Sequence, residues 1–331
     1  MRVEYDVPLA PLITLGVGGR ARRAVTVEAV GELQEALATG EPVLVVGGGS
    51  NLVVRDVGWP GTVVRLALHA VERDGDVVTA AAGVDWDGFV AAMVEDGRVG
   101  VECLAGIPGL VGATPMQNVG AYGQEVADTI VDVTAYDREA SRFVTIPGAD
   151  CGFAYRDSRF RGSARWVITA VRFQLPRGER SAPIRYAELA TALGVAPGAR
   201  APLAQVRQTV IALRRKKGMV VDPADPDTRS AGSFFTNPIV AAEVAARLPA
   251  AAPRWPQPDG RVKLAAAWLI EHAGFTRGML RGQVGISTKH ALALVTRPGA
   301  TATELLAFAG EIRAGVRAKV GVDLAMEPVI A

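Results

Sequence analysis

An α+β fold in two parts is what the sequence predicts, and three observations predict it. Short Val-rich runs alternate with turn signals through the first half, helical spacing interrupts them, and the texture changes beyond about residue 175. Pro42-Val43-Leu44-Val45-Val46 reads as a buried strand, Gly47-Gly48-Gly49-Ser50-Asn51 as the loop that ends it, and Leu52-Val53-Val54-Arg55 as the next strand. Val63-Val64-Arg65-Leu66 and Val77-Val78-Thr79-Ala80 continue the series, as do Ile130–Tyr136, Phe143–Ile146 and Trp166–Leu175. Helices are expected near Val30–Ala38 and from Asp85, a natural N-cap, through Val94.

Pro176–Pro183 is polar, carries Gly178 and two prolines, and suits a boundary or an excursion. Leu203–Lys217 then reads as a helix and Gly218–Ser230 as a loop rich in Asp and Pro. Val262–Ala273 has the composition of an apolar helix with Trp268 and Leu269 on its buried side. Thr301-Ala302-Thr303-Glu304 fits a capping box, opening a helix with Leu305, Phe308, Ile312, Val316 and Val320 at helical spacing. Val322–Ile330 is expected to close the chain as a strand, so a smaller α/β domain begins at about residue 203.

Composition narrows the function classes. A net charge of +2 from 36 basic and 34 acidic residues gives no reason to expect a nucleic-acid partner. Two cysteines cannot build a disulfide scaffold or a four-thiolate zinc site, and the three histidines show no ligand spacing, so no metal is expected. The charged start Met1–Asp6 is unlike a secretory signal. The uncharged stretch Cys103–Gln124 is too rich in Gly, Pro and amides to be a membrane span. A soluble cytoplasmic protein is expected, and nothing requires more than a monomer.

The glycines carry the first functional signal. A Rossmann loop must open a helix, whereas Gly47–Asn51 is followed at once by the β-rich Leu52–Arg55. Successive glycine amides between strands can still form a nest for phosphate, with Ser50 and Asn51 as added donors. A second run, Gly106–Gly123, carries almost no side-chain bulk over eighteen residues. One turn needs one or two glycines; a chain laid against an extended ligand needs many. Two such segments argue for a dinucleotide held by backbone.

These residues also carry a family resemblance. The Gly-Gly-Gly-Ser-Asn loop, the run from Gly106-Ile107-Pro108-Gly109 through Pro115-Met116-Gln117-Asn118-Val119-Gly120-Ala121-Tyr122-Gly123, and Tyr155-Arg156-Asp157-Ser158 resemble the UDP-N-acetylenolpyruvoylglucosamine reductase (MurB) family. Ser230-Ala231-Gly232-Ser233-Phe234-Phe235-Thr236-Asn237-Pro238 and Glu327-Pro328 continue the match in order. The resemblance implies an FAD-binding domain of the vanillyl-alcohol-oxidase (PCMH) type, split as 1–66 and 67–202, and a UDP-sugar-binding domain at 203–331. It implies non-covalent FAD, NADPH as the hydride-donating cosubstrate, and reduction of an enolpyruvyl ether to a lactyl ether in peptidoglycan precursor synthesis.

Residue by residue, the resemblance implies a catalytic trio of Arg156, Ser233 and Glu327. A permanently charged guanidinium suits developing negative charge. A serine is a weak acid, yet sufficient against a strongly basic enolate-like carbon when well placed. Glu327, facing a substrate carboxylate, is expected to be protonated in the complex. Cofactor contacts are expected from Gly47, Gly48, Gly49, Ser50, Asn51, Gly112, Ala113, Thr114, Pro115, Asn118, Gly120, Tyr122 and Gly123. Substrate contacts are expected from Tyr155, Tyr186, Lys217, Asn237, Trp255 and Arg277, with Lys217 turned inward and its neighbours Arg214, Arg215 and Lys216 solvated. Ile13-Thr14-Leu15 departs from the Asn-Thr often found there, so position 13 is not counted. A flavin oxidase of the same fold would favour a His or Cys to tether its flavin, and neither glycine region holds one. A nucleotide-binding protein without turnover would have no use for the trio.

Overall fold

In the computed structural model, which describes all 331 residues, the first Val-rich runs pair in parallel. Trp59–Leu66 lies between Arg20–Val27 and Val43–Val46, with Val63 opposite Ala24 on one side and Leu44 on the other. Val63 and Val64 are both fully buried, which is why this strand reads as an unbroken apolar run. Arg2–Pro8 completes a four-stranded sheet. The later runs form an antiparallel sheet in the order Arg142–Pro147, Ile130–Asp137, Trp166–Gln174, Val77–Ala81, Val71–Asp74. Against it packs the helix Trp86–Glu95, started by the Asp85 carboxylate accepting the Gly88 amide at 2.8 Å. Trp86 and Phe89 meet Phe173 of that sheet at centroid separations of 6.1 and 5.3 Å.

Two compact units result, and neither is continuous in sequence. One comprises Met1–Val7, Ala21–Gly49 and Trp59–Lys216; the other comprises Pro8–Arg20, Ser50–Gly58 and Lys217–Ala331. This differs from division at 66 and 202: no boundary falls at 66, and Pro8–Arg20 and Ser50–Gly58 belong to the second unit. Helix Leu203–Lys216 buries Val206, Val210 and Leu213 in the core of the first unit, so the long segment of the second begins at Lys217. Ser50–Gly58 joins the second unit because Leu52–Val53 pairs in parallel with Val329–Ile330.

Other expectations shift for local reasons. Val262–Leu264 is a strand between Ile239–Val240 and Arg254–Pro256, and the helix starts only at Ala266. The β-branched start fits a ladder better than a helix. Trp268 is half-buried, stacked on His272 at 4.4 Å, while Leu269 and Ile270 take the buried side. Of Val322–Ile330 only Val329–Ile330 is strand, because Pro328 offers no amide to a ladder. Pro176–Pro183 is fastened down: Gly178 donates to the Gly97 carbonyl at 2.8 Å, Ser181 to Ala201 at 2.8 Å, and Ala182 to the fully buried Glu102 carboxylate at 2.8 Å.

In the second unit Ala302–Val320 buries Leu305, Phe308, Ile312 and Val316, and its capping box forms as expected, with Glu304 donating its amide to Thr301 Oγ1 at 3.1 Å. Asp56 adds a second cap, accepting the amides of Ala302 and Thr303 at 2.8 Å each, and the Thr303 hydroxyl. Burial alone would raise the Asp56 pKa, but these hydrogen bonds outweigh it and hold it below the usual value. Its stabilising effect is therefore complete above the unfolded-chain pKa and is lost as pH falls through the lower folded value. Asp56→Ala should cost about 1–2 kcal/mol at neutral pH. In urea melts the gap to wild type should close below pH ~4; a gap constant down to pH ~2 would show that the carboxylate is not the cap. No helix is long and apolar enough to cross a membrane.

Candidate active site

In the first unit the two glycine segments touch. A Cβ on Gly48 would stand 2.8 Å from the Gly109 Cα, and one on Gly112 would stand 2.5 Å from the Ala82 Cβ. Only bare backbone allows such approach. The amides of Gly48 and Gly49 make no hydrogen bond within the chain, so they remain as donors for another molecule. Those of Gly112 and Ala113 are taken by the Ala82 and Leu110 carbonyls, and the Thr114 hydroxyl donates to Val111 at 2.8 Å. The loop itself is held from behind, with Gly106 donating to Asp87 at 2.7 Å and Arg207 pairing with Asp87 at 2.9 Å.

The Asn118 side chain is tied within the chain. Its Nδ2 donates to Glu125 at 2.7 Å and to the Ala154 carbonyl at 3.1 Å, and its Oδ1 accepts the Ala127 amide at 3.1 Å. With φ +49 and 1% exposure, this side chain braces the loop from inside. Tyr122 and Gly123, at φ +50 and +83, form the two-residue turn between Gly120–Ala121 and Gln124–Glu125. Burial pushes the Tyr122 phenol up to about 12, so it keeps its proton. Its ring meets Tyr186 edge-on at 5.4 Å. Tyr186 is 45% exposed but precedes a helix, Ala187–Leu193, whose Leu189, Ala190 and Leu193 are core residues.

Arg156 stands at the corner of a tight turn in which Ala154 and Asp157 exchange both backbone hydrogen bonds at 3.1 Å. Its φ is +54, a left-handed conformation costing a non-glycine residue about 1–2 kcal/mol. The surroundings hold it there. Its guanidinium donates to the Gly120 carbonyl at 2.7 Å and lies 5.5 Å from the Tyr155 ring centroid, and its carbonyl accepts from Arg161. A Cβ on Gly120 would come within 3.2 Å of the guanidinium, so that glycine makes room for it. Ser158 ties the turn to the second glycine run by donating to the Met116 carbonyl at 2.7 Å.

Arg214, expected to be solvated with its neighbours, is not. It is buried on helix Leu203–Lys216, and burial brings its pKa down to about 10 against the opposing influence of Tyr122 and Asp87, with Arg156 adding to the decrease. A readable signal existed: Arg214 and Lys217 fall at i+4 and i+7 from the buried Val210. Lys217 is half-buried while Arg215 and Lys216 are exposed.

In the second unit the motif Ser230–Pro238 runs beside the end of the chain. Phe234 and Phe235 are buried, Phe235 bridges to Met326, and the Glu327 amide donates to the Phe234 carbonyl at 2.9 Å. Ser233, after Gly232 at φ +67, and Glu327 thus lie on neighbouring extended segments, both half-buried. Asn51 serves this unit: its carbonyl accepts the Val329 amide at 3.0 Å and its Nδ2 reaches the Glu327 carbonyl at 3.5 Å. Asn237 accepts the Ala266 amide at 2.9 Å, capping that helix and keeping its own N–H groups as donors. Trp255 is 47% exposed on a strand, opposite Lys263. Arg277 sits in an exposed pair with Glu271, its Nε at 3.2 Å from the carboxylate.

FAD needs bare backbone and unspent amides along its phosphates, and Gly47–Gly49 packed on Gly109–Gly112 supplies both, so the residues present fit the cofactor. Gly48→Ala should weaken FAD binding roughly tenfold or more, from ~1–3 kcal/mol of overpacking. Fluorescence titration of the apoprotein measures this, and an unchanged affinity would take the loop out of the cofactor site.

Comparisons with known proteins agree. Residues 22–145 match the family described as FAD binding domain, and residues 223–331 match the C-terminal domain of UDP-N-acetylenolpyruvoylglucosamine reductase. Reductases of that name from Thermobifida fusca and Streptomyces avermitilis are 54% and 52% identical, covering 98% of this chain in both cases and 97% and 94% of the relatives. The crystal structure of UDP-N-acetylenolpyruvylglucosamine reductase (MurB) from Thermus caldophilus superposes with a TM-score of 0.71 at 27% identity, over 100% of this chain and 99% of that one. Matched in order at both ends and more than half identical to a relative along nearly its whole length, this chain belongs to the UDP-N-acetylenolpyruvoylglucosamine reductase family.

Proposed function

We propose that this chain reduces the enolpyruvyl ether of UDP-N-acetylglucosamine to UDP-N-acetylmuramate with NADPH, and that Arg156, Ser233 and Glu327 are its catalytic residues. The observation that carries the reading is the relatives' name at more than half identity, joined to a glycine cradle that fits FAD. When bound, FAD supplies the hydride chemistry, taking two electrons from NADPH and giving them to the substrate. Gly47–Gly49, with Ser50 beside them, and the Gly106–Gly123 run would hold it.

The protein's own part is a proton and a field. Hydride goes to the terminal carbon of the enolpyruvyl group and leaves charge on the carbon beside the carboxylate. Ser233 Oγ gives its proton to that carbon and regains one from water. Arg156, rigid in its turn, stabilises the carboxylate and the enolate that forms from it. Glu327, protonated in the complex, donates a hydrogen bond to the same group. Lys217, Asn237, Tyr155, Tyr186, Trp255 and Arg277 are proposed to hold the UDP-sugar. Two buried free thiols, Cys103 and Cys151, suit the reducing cytoplasm, where this reading places the reaction, and a monomer suffices for it.

Anaerobic stopped-flow absorbance tests the reading. NADPH should bleach the flavin, and UDP-N-acetylglucosamine enolpyruvate should restore its colour rapidly. Colour restored only by O₂ would make the protein an oxidase, and a colourless protein that cannot be loaded with FAD would remove the flavin.

A further inference from the structure

The strap that carries Ser233 is tied at both ends to one turn, Ser287–Leu292. Downstream, the Phe234 amide donates to the Leu292 carbonyl at 2.7 Å. Upstream, Asp227 is 3% exposed and its Oδ2 accepts three hydrogen bonds from that turn: Ser287 Oγ at 3.0 Å, the Thr288 amide at 2.8 Å and Thr288 Oγ1 at 2.6 Å. Its Oδ1 accepts from Arg297 at 2.8 Å, while the same guanidinium holds the Pro226 carbonyl at 2.7 Å. Between the two ties, Ser230 bridges to Val295 and Gly232 turns at φ +67, with Ser233 next.

We infer that Asp227 is a positioning residue for the proton donor: resting on the reading of Ser233 as donor, it fixes where that hydroxyl stands by clamping the Pro226–Ser230 end of the strap to the Ser287–Thr288 turn. This buried carboxylate spends its four hydrogen bonds on the turn and on Arg297, so its effect passes through the strap. A neutral amide cannot replace it. Turned either way, Asp227→Asn faces at least one donor with another donor, which loosens the upstream tie and leaves the downstream one intact. Proton transfer depends steeply on donor placement, whereas flavin loading and its reduction do not involve Ser233.

The test uses the holoenzyme with its flavin reduced by dithionite, mixed anaerobically with UDP-N-acetylglucosamine enolpyruvate. Asp227→Asn should slow reoxidation at saturating substrate tenfold or more, change the half-saturating concentration less than threefold, and enlarge the solvent deuterium isotope effect. Asp227→Glu should recover part of the rate. Thr288→Val, which removes one donor and is the milder variant should Asp227→Asn fail to fold, should slow the same step severalfold. FAD affinity and melting temperature, read in parallel, separate positioning from general loosening: equal losses in affinity, half-saturation and rate would overturn the inference, as would an unchanged rate. Ser233→Ala runs beside them. If it leaves reoxidation fast, the reading of Ser233 fails; if it slows reoxidation and the Asp227 and Thr288 variants do not, only the positioning role fails.

Discussion

Ser233→Ala is expected to slow substrate-driven reoxidation of the flavin by about 10²–10⁴-fold, the usual contribution of a positioned general acid. Flavin reduction by NADPH should stay within a factor of about two, since that step adds no proton to carbon. Ser233→Cys should lie between, because a thiol is the stronger acid in a side chain of nearly the same size. The half-reactions are read separately by stopped-flow absorbance. Reoxidation at the wild-type rate in the alanine variant would mean that water or another group protonates the carbon. The local structure favours a sharp effect. Ser233 sits between a left-handed glycine and two buried phenylalanines, so truncating its hydroxyl leaves the backbone no reason to move.

Arg156→Gly should separate stability from activity. The wild-type residue is held at φ +54, and glycine relieves that strain by about 1–2 kcal/mol. The lost hydrogen bond to the Gly120 carbonyl costs about 0.5–1.5 kcal/mol, or up to ~3 for a charged donor. The melting temperature should therefore change little, while kcat/KM falls about 10²–10³-fold with loss of the cation. Arg156→Lys keeps the charge but not the planar fork, and should recover only part of the rate. A variant that melts far below wild type would show that the arginine is chiefly a structural tie. Strain kept at one turn residue is what a functional constraint on the backbone looks like.

Much of this was legible in the chain. The Val-rich run Val63–Leu66 became a strand buried on both faces of a parallel sheet, as Val63 and Val64 show, whereas Val43–Val46, expected to be buried, leaves Val45 exposed. The capping box at Thr301 formed because its two hydrogen bonds join residues three apart. Where partners are distant, local reading stopped. Nothing near Leu52 announces that Val329 will pair with it, so Ser50–Gly58 could not be assigned to the second unit. The helix expected from Val262 lost its first turn to a three-stranded ladder set by Ile239 and Arg254. The glycine cradle was readable from composition. Arg156, Ser233 and Glu327 were not, because an arginine, a serine and a glutamate in isolation carry no mark of chemistry; their motif context singled them out. Asn118 shows what a motif does not announce: its polar side chain makes three hydrogen bonds that hold the motif itself together.

The chain crosses from one unit to the other after Val7, Arg20, Gly49, Gly58 and Lys216. No single cut can therefore release either unit whole. A fragment starting at Lys217 would carry Ser233 and Glu327 but would leave Val329–Ile330 without its partner strand and the helix at Ala302 without Asp56. Such interleaving makes the two halves poor candidates for exchange between proteins by recombination. It also means that a ribosome must release the chain through Ile330 before the second unit can complete its fold, and that a nick in the short excursion Ser50–Gly58 would damage the unit built mostly from Lys217–Ala331.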